Sequence, residues 1–477
     1  MSNASLAPLY PPTLTPPEVP LGTLRFLKRC AENPLATIPA CAYSEPVSSV
    51  EPARGFRAIW ICDPDVLEQV LVRDAGRYRK TPLELRVFAP VIGKGVLSSD
   101  GADWRWQRRL LAPLFRPSEV LSYVPAMAAA ADEQIARWRE AAHAPGQAVR
   151  HCIEADMTLA TYAVIVRTML FGGAPKDVNA VMAAGKSYLE AIPWVLAYGL
   201  LNLPSWLPHP AMFKQRRAAK AFRKSVAAII EDRRARSASA ADDLLGRLLA
   251  ARDPETDAPL TDALLVDNLA TLLEAGHETT AKALAWTLYL LARAPHWQDL
   301  IRAEVAAVVG TSRIEARHLD QLAVTERVIK EAMRLYPAAP VMGRTPTEAV
   351  DIAGYHVKAG EPVYMPIYAI HRHKLLWDDP NRFDPDRFLP EREAALKRTQ
   401  YMPFGGGPRI CLGAAFAMVE AKVLLASFVR AARFDWDGQH LPEPVSRVTL
   451  HPKGGMPLGV TLLDEAPTRP PNVLLNS

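Results

Sequence analysis

The sequence has little cysteine: five residues in 477, at Cys30, Cys41, Cys62, Cys152 and Cys411. Their number is odd, their spacings are wide and no CxxC pair occurs. This argues against a disulfide scaffold and a zinc site, and fits a reducing cytoplasm. Long apolar runs are also lacking. The most apolar stretch, 191–207, is interrupted by Pro193, Asn202 and Pro204 and falls short of the ~20 residues a spanning helix needs. It is expected to form an apolar entrance or cover, with interfacial contact as the lesser option. Residues 1–5 lack the basic segment and apolar core of a secretion signal. No Gly/Ser linker, charge block or internal repeat divides the middle, so one body is expected although length alone suggests about three domains. The net charge of +5 is modest, and no motif points to nucleic acid. Proline, by contrast, is abundant at 42 residues. It clusters near both ends, so 1–21 and 465–477 are read as extended tails around a domain at 22–464.

Strand patterns are few. Arg57–Cys62 reads as a strand, and Asp63-Pro64 as a helix start, with Asp as cap and Pro at the first position. Residues 351–357 read as a strand that turns through Lys358-Ala359-Gly360 into another from Pro362. A small β subdomain is therefore expected from about 50–75 and 340–370. Helical patterns occupy about 119–141, 155–172, 212–236, 261–293, 296–309 and 323–336. The fold class expected is mainly α with that small β subdomain.

The most informative segment is Phe404-Gly405-Gly406-Gly407-Pro408-Arg409-Ile410-Cys411-Leu412-Gly413. Three glycines and a proline precede one cysteine, and an Ala-rich helical pattern follows. Glycine admits positive φ and close backbone approach to a flat ligand. Orphan N–H groups at the following helix start favour an anion, so Cys411 is expected to titrate below the ordinary ~8.5 of a free thiol. Arg409 is suited to a carboxylate.

A second segment lies inside 261–293, a long pattern without proline. Its centre is Ala275-Gly276-His277-Glu278-Thr279-Thr280. A small Ala-Gly step leaves room for a flat group, and an acid and an alcohol follow. The alcohol alone means little, since Thr hydroxyls in helices commonly bond a carbonyl one turn back. Glu331 and Arg334 form an i,i+3 pair worth only ~0.2–0.5 kcal/mol if exposed. They are followed by Leu335-Tyr336-Pro337 and, further on, by Phe383-Asp384-Pro385-Asp386-Arg387-Phe388. Trp104 and Arg108 share a helix face at i,i+4. His371-Arg372-His373 offers only two ligands with no third nearby, so no metal is assigned to it, and His277 is given no role.

FxxGxRxCxG, [AG]Gx[DE]T[TS], ExxR, a later arginine and WxxxR, in the order this chain carries them, resemble the cytochrome P-450 superfamily over roughly 22–464. The resemblance implies a fold with a long central helix over haem and a cysteine-ligand loop beneath. It implies haem b with Cys411 as thiolate ligand, a ligand that favours O–O cleavage. Trp104, Arg108, Arg344 and Arg409 would hold the propionates, and Ala275, Phe404, Gly405 and Gly413 would line the haem. Thr279 would hydrogen-bond dioxygen, with Glu278 relaying protons. Glu331, Arg334 and Arg387 would form a buried structural network. The activity implied is monooxygenation of an apolar small molecule, such as a terpenoid, fatty acyl chain, alkane or aromatic, by a monomeric cytoplasmic enzyme. Its electrons would come from a separate ferredoxin or flavodoxin with an NAD(P)H-dependent reductase. A peroxide-driven or rearranging haem-thiolate enzyme and a non-catalytic haem sensor are the alternatives. Pocket segments are expected in a loop at about 82–102, in 185–207, Leu272–Thr279 and Ala338–Met342, and in the turn Gly454–Leu458. They read as overwhelmingly apolar. A basic patch of Arg105, Arg109, Arg116, Lys397, Arg398 and Lys422 is expected where a redox partner docks.

Overall fold

A computed structural model describes residues 7–53, 56–142, 144, 146–169, 178–200, 203–204, 206–235, 243–253 and 255–463. The proposed tail 465–477 lies outside them. The helix Asp262–Arg293 runs through the centre, capped by Thr261, whose hydroxyl accepts the Leu264 N–H. Residues 280–292 are buried all round, as expected of a helix with neighbours on every side. Those neighbours include the helices Ile153–Met169, Ala323–Leu335 and Ala414–Ala431. Each falls on one of the helical patterns or, for Ala414–Ala431, on the Ala-rich run after Cys411.

The largest sheet has five strands. It comprises β1 (Val47–Ala53), β2 (Phe56–Ile61), β3 (Tyr78–Arg79), β5 (Met342–Pro346) and β8 (Val363–Met365), in the order β1-β2-β8-β5-β3. Asp63 caps the helix after β2, accepting the N–H groups of Asp65 and Val66. A three-stranded sheet joins β4 (Ala148–Cys152), β12 (Pro457–Leu462) and β9 (Ala432–Asp435). A hairpin pairs β10 (Pro444–Ser446) with β11 (Leu450–Pro452). Trp286 of the central helix stacks on Tyr336, centroids 3.8 Å apart, and donates to the Leu450 carbonyl at 3.1 Å. That bond fixes β11 against the central helix.

Two expectations need correction. Residues 350–357 form a tight hairpin, β6 (Val350–Ile352) and β7 (Tyr355–Val357), instead of one strand. Ala353 and Gly354, at φ +47° and +86°, reverse the chain there, a turn that glycine permits. The segment 82–102 is no continuous loop. Thr81 and Glu84 make a reciprocal capping box that starts the helix Pro82–Ile92, a signature readable in sequence. The described part of the N-terminal tail is extended but pinned: Leu9 and Pro12 carbonyls accept from the Phe383 N–H and the Tyr336 hydroxyl.

Candidate active site

The cysteine loop is held open by its own backbone. The Cys411 N–H donates to the Phe404 carbonyl at 2.9 Å, and the Gly405 N–H to Met402 at 3.0 Å. Gly405 and Gly407 sit at φ +77° and +69°. A Cβ on Gly407 would lie 1.9 Å from the Leu71 carbonyl oxygen, whereas one on Gly413 would meet nothing within 4 Å. Gly407 is thus required by the protein itself, and Gly413 faces open space at the start of the helix Ala414–Ala431.

Cys411 is exposed, yet burial raises its thiol pKa, with the Gly413 N–H and the Arg108 charge pulling the other way. A side chain that is both accessible and desolvated lines an interior hollow. The direction corrects the expectation of a lowered pKa. The helix starts at Ala414, so Cys411 lies outside its first turn, where the dipole effect has faded, and loss of hydration outweighs the neighbouring positive charges.

Behind the loop, Arg334 uses all five guanidinium N–H groups. It donates to Glu331 at 2.7 and 2.8 Å, and to the carbonyls of His371, Pro380 and Arg382 at 2.7, 2.7 and 3.0 Å. Arg387 lies 3.6 Å from the same carboxylate and donates to the Asp379 carbonyl. Glu331 and Arg334 are fully buried. The His371-Arg372-His373 tract serves this support. His371 Nε2 accepts the Met402 N–H at 3.0 Å while Nδ1 donates to the Arg334 carbonyl, and burial holds its pKa down to about 3. Sequence reading gave this tract no positive role; its neutral imidazole anchors the cysteine loop.

To one side lies a concentration of positive charge. Arg409 sits 4.3 Å over the Trp104 ring, pairs with Asp100 and donates to the Ser99 carbonyl at 3.1 Å. Arg108 is 6.0 Å from the same ring centroid and near enough to Cys411 to affect its titration. Arg344 is buried and donates to the Gly343 carbonyl at 2.7 Å, and no other protein acceptor meets it among the described residues. Lys80 belongs here too, and sequence reading missed it. Burial lowers its pKa, as do Arg344 and Arg409, with Glu84 and Asp100 opposing. Its only sequence signal is a basic pair at the end of β3. So many cations facing few acids are suited to a dianionic edge. With the accessible thiol and the glycine-lined floor, they fit the two carboxylates of haem.

The central helix forms the opposite wall, and the two helices meet where Thr280 faces the wholly buried Glu420. Burial pushes the Glu420 carboxyl well above the usual range. Little more than a turn earlier, Ala275 is exposed, whereas residues 264–274 and 276–293 are buried or half-buried. Gly276 instead faces the neighbouring helix, where a Cβ would come 2.8 Å from Ile165 Cδ1. Of the Ala-Gly step, only alanine borders the hollow. The Thr279 hydroxyl donates to the Ala275 carbonyl at 2.9 Å. His277 is tied down by Leu273 at 2.8 Å and by the Tyr162 ring at 5.6 Å. Glu274 was not foreseen. Burial raises its pKa to about 7, and Glu278 adds to the rise. It faces Gly185, where a Cβ would lie 2.9 Å from Glu274 Oε2. The pocket wall is thus less uniformly apolar than its composition implies.

Parts of the expected basic patch are otherwise engaged. Lys422 is buried and bonds Glu326 and the Leu319 carbonyl, Arg109 bonds Asp253 and Glu255, and Lys397 bonds Asp65. Lys422 turns inward because the Leu319 carbonyl and the Glu326 carboxylate both accept from its ammonium. Arg105, Arg116 and Arg398 are exposed. Among the described residues, no helix is long and apolar enough to cross a membrane.

The model of the family described as cytochrome P450 matches residues 53–458. Cyclooctatin synthase of Streptomyces melanosporofaciens is 32% identical over 94% of this chain and 93% of its own length. Pentalenene oxygenase of Streptomyces avermitilis is 31% identical over 82% of this chain and 85% of its own. The solved haem domain of cytochrome P450DA superposes with a TM-score of 0.81 at 26% identity, covering 95% of this chain and 99% of that one. Family and fold imply haem held by a cysteine thiolate, a small-molecule substrate and redox partners. The chain belongs to the cytochrome P450 family and is a haem-thiolate monooxygenase.

Proposed function

We propose that this enzyme hydroxylates or epoxidises an apolar small molecule of terpenoid type, with electrons from a separate ferredoxin or flavodoxin and its NAD(P)H-dependent reductase. What supports the reading is an accessible, desolvated Cys411 together with the exposed Ala275 and the Thr279 hydroxyl of the central helix, which meets the helix after Cys411 at Thr280 and Glu420. The two Streptomyces relatives, both terpenoid-related, favour that substrate class.

When bound, haem supplies the activation of O2 and the transfer of one oxygen atom. The chain's own residues do the rest. Cys411 would ligate the iron. Trp104, Arg108, Arg344, Arg409 and Lys80 would take the propionates, where bidentate arginine geometry suits carboxylate. Phe404, Gly405 and Gly413 would form the floor. Ala275, small and exposed, would leave room for oxygen and substrate. The Thr279 hydroxyl already donates to Ala275, so its oxygen is free to accept, and the Glu278 carboxyl group stands one residue away. Oxygen activation consumes protons, and a positioned acid and alcohol supply them. This pair also weighs against a peroxide-driven enzyme.

The test is a screen of terpenoid hydrocarbons for haem spectral shifts, followed by turnover with surrogate ferredoxin and reductase. Oxygenated product dependent on NAD(P)H and O2 is expected. Turnover with hydrogen peroxide alone, or binding without any product, overturns the reading. Cys411→Ala should abolish the red-shifted Soret band of the ferrous–CO complex; an unchanged band removes Cys411 as ligand.

A further inference from the structure

Glu278 does not end at the hollow. Its Oε1 lies 3.3 Å from His451 Nε2, and the other ring nitrogen, Nδ1, lies 3.3 Å from Glu154 Oε1. Thr449 Oγ1 is 3.0 Å from the same Nε2. Lys282 Nζ contacts Glu154 Oε1 at 2.7 Å. One imidazole is therefore bridged between two carboxylates from two different helices, and it stands on β11, which Trp286 pins to the central helix. Side-chain exposure falls inward, from 24% at His451 and 19% at Glu154 to 12% at Glu278. The outer members reach solvent more than the member beside Thr279.

We infer that His451 is a relay residue that carries protons from the Glu154 side to Glu278. An imidazole gains a proton at one nitrogen and releases one from the other, so a proton crosses the ring without the ring turning. In the step, Nδ1 takes a proton from the solvent-facing side and Nε2 gives one to the Glu278 carboxylate. No heavy-atom bond changes and no electron moves. Burial opposes ionisation of Glu154, but His451 and Lys282 outweigh it and hold its carboxyl below the usual range. The outer carboxylate thus stays charged and draws protons toward Nδ1. A lysine or arginine in place of His451 would neutralise Glu278 equally well but could not conduct in this way. His451 acts through Glu278 and touches no reacting atom, so its role is positioning and supply.

The inference rests on Glu278 and Thr279 being the proton-handling pair. The experiment compares His451→Gln, His451→Lys and Glu154→Gln in the full haem-loaded chain, with Glu278→Gln and Thr279→Ala as references. The readouts are product formed per NAD(P)H and the solvent deuterium isotope effect on product formation. His451→Gln and His451→Lys should each lose on the order of tenfold in product per NAD(P)H and show a larger isotope effect, with unchanged ferrous–CO spectra. Glu154→Gln should lose less, in the same direction. Restoration of coupling by lysine would show that His451 is only a charge partner, and overturns the relay. Normal coupling and isotope effect in His451→Gln also overturn it. A readout independent of turnover is ¹⁵N NMR of His451 in the diamagnetic ferrous–CO protein. Its ring nitrogen chemical shifts should move in both Glu278→Gln and Glu154→Gln, and shifts indifferent to either break the bridge. If Glu278→Gln and Thr279→Ala keep full coupling while product forms, the proton-pair reading itself has failed. If they uncouple and His451→Gln does not, the relay alone has failed.

Discussion

The two walls of the hollow are built by opposite means. The cysteine loop is short-range: Phe404 to Gly413 closes on itself through bonds a few residues long, and positive-φ glycines set its path. The wall carrying Glu278 is long-range. Its acid meets His451, which in turn meets Glu154, and these two partners come from opposite halves of the chain. The comparison teaches that a site defined by backbone shape is written where it stands, whereas a site defined by charge partners depends on what folding brings alongside.

The largest expected effect lies behind the loop. Arg334→Ala strands a fully buried Glu331 and should cost ~3–5 kcal/mol in denaturant unfolding. A loss below ~1 kcal/mol would mean the loop is self-sufficient. Next, Gly407→Ala forces a left-handed residue and a collision with the Leu71 carbonyl, costing ~2 kcal/mol or more. Gly413→Ala, at φ −89° in open space, should change stability by no more than ~0.5 kcal/mol. Equal costs at the two positions would contradict the different duties assigned to these glycines.

Smaller still is an effect on the opposite wall. Glu274 titrates at about 7 in the fold, above the ordinary carboxyl value, so folding favours its neutral form. The stability it contributes is fully present below the ordinary value and is lost as pH rises through about 7. Glu274→Gln lacks that loss. The variant should therefore gain on wild type as pH rises from ~4.5 to ~7, by on the order of 1 kcal/mol after allowance for partial exposure. Parallel stability curves would mean that Glu274 is hydrated. The smallest effect concerns electron entry: Arg116→Glu with Arg398→Glu should slow first-electron transfer a few-fold at low salt, and less once salt screens beyond ~8–10 Å. A rate insensitive to both would place docking elsewhere. Lys422, buried on Glu326, is unsuitable for this test.

Much of the floor was legible. The glycine pattern, Glu331 with Arg334, and Trp104 with Arg108 were all visible as spacings, because each depends on neighbours in a turn or helix; Arg409 joined Trp104 only through the family resemblance. The Thr81–Glu84 capping box and the Ala353-Gly354 turn are equally local, each carried by the turn chemistry of residues within a few positions of one another. Lys80, Glu274 and His451 were different. Nothing within several residues of Lys80 shows that Arg344 and Arg409 will face it. His371 was assigned no metal from sequence, but only packing sets its ring against the Met402 N–H.

The sequence by itself determined the mainly helical class, the long central helix, the backbone path that presents Cys411 and the set of residue types a haem-thiolate enzyme needs. The first three follow from periodicity, glycine stereochemistry and spacing, which act over one or two turns; the last is what the motifs' resemblance to the cytochrome P-450 superfamily implies. Only the tertiary structure decided which charges meet: that Cys411 is desolvated enough to titrate upward, that Lys422 turns inward, that Gly276 serves a helix contact, and that His451 joins Glu154 to Glu278. The physical reason is that hydration loss and Coulomb interaction depend on distance in space, and distance between residues hundreds of positions apart is set only when the helices pack.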